Sequence, residues 1–198
     1  PLTPMRLTVQ SFEQRFLKNK PYSKEKIKEF CDILIEQIDT MKDVANTFSD
    51  FAALPEAKLK PSDIVKISKR SLEIFERNKI EFLSSHPEIF VNLDRTQWVR
   101  VMTNLIQNGI QSVPIEANAK LKVEIKKLIR EVQIIFIDNG VGIPESIKDK
   151  IFEPKFTTKT KGMGLGLGIV KNIIDSHGGK INYSSSSKGT KFIITLKI

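Results

Sequence analysis

Four glycines at alternate positions, Gly162, Gly164, Gly166 and Gly168, lead into the amphipathic run Ile169-Val170-Lys171-Asn172-Ile173-Ile174. No other feature restricts the fold as much. Glycine costs a helix interior roughly 1 kcal/mol relative to alanine, so a helix that begins with Gly166 and Gly168 must gain something in return. The unpaired amides and the dipole at a helix N-terminus favour anions, and a cradle for phosphate oxygens is a gain that fits. The run is no dinucleotide fingerprint, because no G-x-G-x-x-G register is present and a long loop, not a strand, precedes it. It is no P-loop either, because no Gly-Lys-Ser/Thr follows. Taken alone it also reads as a glycine hinge with tight helix packing.

Two further elements point the same way. Asp138 ends the near-continuous apolar run Val132-Gln133-Ile134-Ile135-Phe136-Ile137, the pattern of a buried central strand. Asn139-Gly140-Val141-Gly142-Ile143-Pro144 follows. A carboxylate there can accept a hydrogen bond from an exocyclic amine such as adenine N6, and Gly140 and Gly142 let backbone approach a flat base. Asp-Asn-Gly is also a common turn. Upstream, Asn104 and Asn108 are four apart, hence on one helix face. Trp98, Val101, Leu105, Ile106 and Ile110 supply the buried side of that helix. Asparagine carbonyl oxygens can hold Mg²⁺; neighbouring loops could equally use them. Together the three elements describe an ATP site.

The chain before them has another rhythm. Leu2, Met5, Val9, Phe12 and Phe16 step by three and four, and after a break at residues 19–23 a second stripe runs Ile27, Cys31, Leu34, Ile38, Met41, Ala45, Phe48, Ala52. Ser23 is placed to cap the second helix and Pro55 to stop it. A short link makes two helices antiparallel neighbours, and a hairpin buries little unless it pairs with a second copy into a four-helix bundle or folds back onto its own domain. The hairpin is assigned to residues 1–57 and a second domain to 58–198. In the latter, helices are expected at Ser62–Glu76 (capped by Ser62), from Asp94 to about Ser112, and at Leu165–Ser176. Strands are expected at Ile80–Ser84, Ile89–Leu93, Lys120–Leu128, Glu131–Asp138, Lys180–Ser184 and Thr190–Lys197. The serines Ser184–Ser187 read as the last turn. The long connection from Asn139 to Met163 is of the kind that carries function.

With 198 residues the chain can hold one medium domain and a smaller unit. No apolar run approaches the roughly 20 residues of a membrane helix, and no signal peptide opens it. The net charge is +9, yet the lysines are scattered and no aromatics interleave with them, which argues against nucleic-acid binding and for a solvated basic surface with a bias toward anionic ligands. The single cysteine, Cys31, is expected as a small buried hydrophobe in a reducing compartment.

In chain order, Asn-Leu-Ile-x-Asn, Asp-x-Gly-x-Gly-Ile-Pro, Ile-Phe-Glu-Pro-x-Phe-Thr-Thr-Lys and Gly-x-Gly-Leu-Gly-Leu resemble the catalytic ATP-binding domain of sensor histidine kinases. That domain belongs to the superfamily shared with gyrase, the ninety-kilodalton heat-shock chaperone and mismatch-repair ATPases. The resemblance covers Leu59 to Ile198. The segment Pro1-Leu2-Thr3-Pro4-Met5-Arg6-Leu7 looks like the stretch just after the phosphoacceptor motif of kinases of the nitrogen-regulation type, and Phe48-Ser49-Asp50-Phe51-Ala52 agrees.

The resemblance implies an α+β fold, a two-layer sandwich of a mixed sheet with helices on one face, preceded by the antiparallel hairpin. It implies ATP and Mg²⁺ as cofactors, with Asn108 as the metal ligand and Asn104 lining the same catalytic site. Asp138 matches the adenine-reading aspartate, with Gly140, Gly142 and Ile143 along the base and Thr190 supporting the carboxylate. Phe152 and Phe156 match the phenylalanines that anchor the lid, and Lys159 is placed to reach phosphates. Gly162, Gly164, Leu165, Gly166 and Leu167 match the phosphate cradle. Gln111 stands where many members carry a basic residue, and Gly109 where alanine is usual. The expected partners are a second copy, through the hairpin, and a response-regulator receiver. The expected place is the cytoplasm, with any membrane anchor of the parent protein upstream of this sequence. The acceptor histidine is expected just before Pro1, since neither His86 nor His177 has the helical setting for phosphotransfer. Two other readings are a nucleotide-driven dimer clamp and a non-catalytic binding module. Hydrolytic relatives place glutamate where Asn104 stands, and asparagine cannot take a proton from water at neutral pH.

Overall fold

Two helices open the chain, α1 over Leu2–Leu17 and α2 over Lys24–Ala52. The computed structural model describes residues 2–18, 23–52, 55–75, 79–114, 116–153 and 164–198. Its contacts divide the chain into two units, Pro1–Leu54 and Pro55–Ile198. In the first, the Lys26 amide donates to Ser23 Oγ at 3.3 Å, the expected cap. The seam between the helices is aromatic: Phe12 and Phe30 stack with centroids 4.2 Å apart. Along the α2 stripe, Leu34 and Met41 are half-buried, whereas Ile27 is 42% and Ile38 55% exposed. Cys31 is exposed rather than buried. Two helices share one seam, and the residue after Phe30 is turned about 100° away from it. The side chains of Ala45, Phe48 and Ala52 lie outside the described residues.

The second unit is built on a five-stranded sheet. In chain order its elements are β1 (Lys60–Asp63), α3 (Ile64–Ser71), β2 (Ile80–Ser84), β3 (Phe90–Leu93), α4 (Arg95–Ser112), β4 (Leu121–Lys127), β5 (Glu131–Asp138), a 3₁₀ turn (Glu145–Lys150), α5 (Gly166–Ser176), β6 (Lys180–Ser186) and β7 (Gly189–Lys197). The strand order is β2-β4-β5-β7-β6, and β1 pairs with β3 in a small separate ribbon. Only β2 and β4 run parallel; the other pairs are antiparallel, so the sheet is mixed as expected. Val123, Ile125, Val132, Ile134, Ile194 and Leu196 line one face and are buried beneath α4 and α5. Each Å² of apolar surface removed from water on this face contributes about 25 cal/mol. Alternate positions on β4, Lys122 and Glu124, turn to the other face. Ile135 on β5 is also buried there, which accounts for the strand's unbroken apolar run. Among the described residues, no helix is long and apolar enough to cross a membrane.

Two expectations need correction. The helix expected from Ser62 begins at Ile64, because Lys60–Asp63 pairs with β3. Asp63 is the cap: its Oδ1 accepts the Val65 amide at 3.1 Å and the Ile89 amide at 3.2 Å, fastening the ribbon as well. Ser62 Oγ instead accepts from Arg95 Nε. The serine run is strand in all but its last residue: β6 continues to Ser186, which pairs with Gly189, and only Ser187 falls in the turn. Serine has no strand preference of its own, and the pairing with β7 decides. Trp98, fully buried, donates its indole N–H to Ser68 Oγ at 2.9 Å and joins α4 to α3.

Candidate functional site

The buried central strand β5 ends at Asp138, beside the start of β7 and near the end of β6. Asp138 Oδ1 accepts the Gly140 amide at 2.9 Å and the Thr190 amide at 3.1 Å. The Ser112 hydroxyl, at the end of α4, stands 3.3 Å from the same oxygen. No hydrogen bond from the described residues reaches Oδ2. One carboxylate oxygen is thus consumed by the protein and the other is left to a ligand.

Gly142 has φ +77°, a left-handed conformation, and a Cβ there would fall 1.9 Å from the Ser186 carbonyl oxygen. The next residue, Ile143, donates its amide to Ser185 Oγ at 2.8 Å, and Ser185 Oγ also pairs with Thr190 Oγ1 at 2.9 Å. Thr190 therefore reaches Asp138 through its amide, while its hydroxyl holds Ser185.

Asn104 and Asn108 project from α4 toward the start of α5. Asn104 Nδ2 donates to the Arg100 carbonyl at 2.8 Å, which turns Oδ1 outward. A Cβ on Gly166 would stand 2.9 Å from Asn104 Oδ1 and 3.7 Å from Asn108 Nδ2. Leu165 is the N-cap of α5 and offers no side-chain hydrogen bond, and the first turn holds no acid. The first amides of α5 are accordingly positioned for an external anion. Gly164 is left-handed at φ +65°. Gln111 is exposed.

Phe152 packs edge-on to Tyr183, centroids 6.0 Å apart, and Tyr183 donates its hydroxyl to the Lys148 carbonyl at 2.9 Å. This fastens the root of the long connection to β6. Phe156, Lys159 and Gly162 lie outside the described residues.

The far end of α5 is fixed as firmly as its start is open. His177 Nε2 accepts the Asp94 amide at 3.0 Å, and Nδ1, carrying the proton, lies 2.7 Å from the Ile173 carbonyl. Burial pushes this imidazole below its usual value, opposed by the Ile173 carbonyl and the Asp94 charge. Burial alone would raise the Asp94 carboxyl, but the amides of Gln97, Lys58 and Thr96 outweigh it and hold it below its usual value. His86 sits in an exposed loop against Ser85 Oγ.

Ser112, Ser185, Tyr183 and the His177–Asp94 clasp escape the sequence reading. Each is an ordinary residue type whose role depends on a strand or helix brought near from elsewhere in the chain. The signal within reach was Ser112, eight residues beyond Asn104 on the same helix.

Comparison with known proteins adds to this geometry. Residues 93–198 match the family described as histidine kinase-, DNA gyrase B-, and HSP90-like ATPase. The nitrogen regulation protein NtrY of Azorhizobium caulinodans is 27% identical over all of this chain, which covers 27% of that protein. The catalytic domain of histidine kinase ThkA, in a nucleotide-free crystal form, superposes with a TM-score of 0.63 at 33% identity, covering 71% of this chain and 95% of that domain. ThkA in complex with the response regulator protein TrrA gives a TM-score of 0.74 at 24% identity, covering 99% of this chain and 59% of that one; at that identity it speaks for the fold alone. The chain spans about a quarter to a third of the length of the curated relatives it matches.

Proposed function

The chain belongs to the histidine kinase-, DNA gyrase B- and HSP90-like ATPase family, and from that premise we propose that it is the ATP-binding catalytic part of a sensor histidine kinase. The observation that carries the reading is the one-sided Asp138 carboxylate, with Oδ1 held by Gly140 and Thr190 and Oδ2 left for the adenine amine. The phosphates lie over the first amides of α5, around Gly164, Leu165, Gly166 and Leu167. Gly140, Gly142 and Ile143 flank the base, and Gln111, Phe156, Lys159 and Gly162 belong to the phosphate side and its lid.

Asn108, with Asn104 beside it, suits Mg²⁺. Both offer neutral oxygen, and among the described residues no cluster of three acids, histidines or cysteines forms a cage. A magnesium ion held by one or two protein oxygens and by substrate phosphates needs no such cage. When bound, it neutralises charge between the β- and γ-phosphates. The protein's own work is positioning: amides hold the transferring group, and Asn104 provides no base to activate water. The γ-phosphoryl then goes to a histidine outside this sequence and onward to a response-regulator aspartate. His177 cannot receive it, since both ring nitrogens are engaged.

Calorimetric titration with ATP tests the pocket. Binding is expected with Mg²⁺ and about tenfold or more weaker in chelator, since a metal bridging to phosphates leaves their charge uncompensated when removed. Equal affinity in both conditions refutes the metal assignment. The hairpin is the dimerisation element of this proposal, supported by the exposed Ile27 and Ile38 on one stripe. Sedimentation should show a dimer that Ile38→Glu disperses; a monomer at high concentration overturns it.

A further inference from the structure

Ser112 belongs to none of the sequence motifs, yet two contacts tie it to the base-reading loop and a third to its own helix. Its Oγ lies 2.7 Å from the Gly109 carbonyl oxygen and 3.3 Å from Asp138 Oδ1. Its own carbonyl accepts the Val141 amide at 3.1 Å. Gly140 is buried, and a Cβ built there would stand 1.9 Å from Ser112 Oγ and 2.6 Å from Ser112 Cβ. The serine side chain therefore fills the space that residue 140 leaves empty. A hydroxyl carries one proton and an ionised carboxylate only accepts. Two amides already hold Asp138 Oδ1, and the Ser112 proton, shared between the nearer Gly109 carbonyl at 2.7 Å and Asp138 Oδ1 at 3.3 Å, is the donor that reaches it from the helix side.

We propose that Ser112 is a positioning residue for purine specificity: its hydroxyl completes the donor set on Asp138 Oδ1, so that Oδ2 alone is presented to an exocyclic amine at purine position 6. This rests on the reading of Asp138 as the base-contacting residue. The mechanism is rotational. With donors on both sides of Oδ1 the carboxylate cannot turn about its Cβ–Cγ bond. Without Ser112 only the Gly140 and Thr190 amides restrain that turn, and the oxygen facing the amine is less firmly fixed. The Gly109 carbonyl, sharing the same hydroxyl, extends the tie to the last turn of α4, one residue from Asn108.

The test separates this role from a merely structural one. The chain, its Ser112→Ala variant and its Asp138→Asn variant are titrated with ATP and with purine riboside 5′-triphosphate, which lacks the 6-amine. Ser112→Ala should weaken ATP about five- to tenfold, the effect of losing one ordinary hydrogen bond, and leave the amine-free analogue within about twofold. Equal losses for both ligands, or no loss for ATP, overturn the proposal. If Asp138→Asn weakens ATP and the amine-free triphosphate equally, the base-reading assignment itself is refuted, whatever Ser112→Ala does. Should Ser112→Ala not fold, Ser112→Cys carries the test, since a thiol fills the same space and is a weak donor. The same selective loss is expected of it, and a retained wild-type preference for ATP counts against the proposal.

Discussion

The two ends of the site are built on opposite principles. At the Asp138 end, donors and acceptors meet within the protein: Gly140, Thr190, Ser112, Ser185 and Ile143 close on one another across three strands and a helix. At the α5 end, the first-turn amides have no side-chain cap among the described residues, and a glycine leaves open the space beside Asn104 and Asn108. A closed network holds one oxygen in one place and can test identity. An uncapped helix end holds nothing in particular and can attract charge. The difference predicts that base selectivity and phosphate affinity, at the site as proposed, are separable by mutation.

The sharpest way to break that division is Asp138→Asn. It should cost about 100-fold in ATP affinity, because a charge-assisted hydrogen bond is replaced by an amide able to turn its own N–H toward the base. The fold should persist, as β5 is held by its apolar face; unchanged affinity in a folded variant refutes the assignment.

Gly166→Ala addresses the other end. The added methyl falls 2.9 Å from Asn104 Oδ1. It should raise thermal stability, since alanine is favoured over glycine in a helix by up to about 1 kcal/mol, while ATP affinity drops about tenfold. Loss or gain of both together would contradict the open-cradle picture. The preference for ATP over an amine-free purine nucleotide should not move.

The smallest effect concerns stability alone. His177 is neutral in the fold with its value pushed down, so its contribution is present above the unfolded value near 6.5 and lost as pH falls through the folded one. Melting curves of the protein and of His177→Ala should therefore converge as pH is lowered from about 7.5 to about 5. A constant gap would mean that the clasp does not titrate. Asp94 adds a second loss at more acid pH, because its carboxyl is held low and its contribution lapses only as that group protonates.

Much of this was legible in the chain because it is local. The β5 run, the Asp94 cap on α4 and the helix entered at Gly166 and Gly168 each announce themselves within a dozen residues, and the structure places those elements as read. Asp94 accepts the Thr96 and Gln97 amides, as the cap reading requires. What was not legible depends on distant partners. Lys60–Asp63 became a strand only because β3 lies beside it, 33 residues away at Lys60↔Leu93 and 27 at Asp63↔Phe90. Ser185 looks like turn filler until Thr190 and Ile143 arrive. Cys31 reads as core on a helical wheel, yet the seam of the hairpin runs through Phe30.

The clasp at His177 has one more consequence. Helix α5 spans 11 residues, roughly 16 Å at 1.5 Å per residue. Its C-terminal end is bolted to the Asp94 amide at the head of α4, and its N-terminal end faces the two asparagines. A rod pinned at one end moves like a lever. A small rotation about His177 becomes an ångström-scale swing at Gly166, where the phosphates are proposed to lie, while the pinned end stays put.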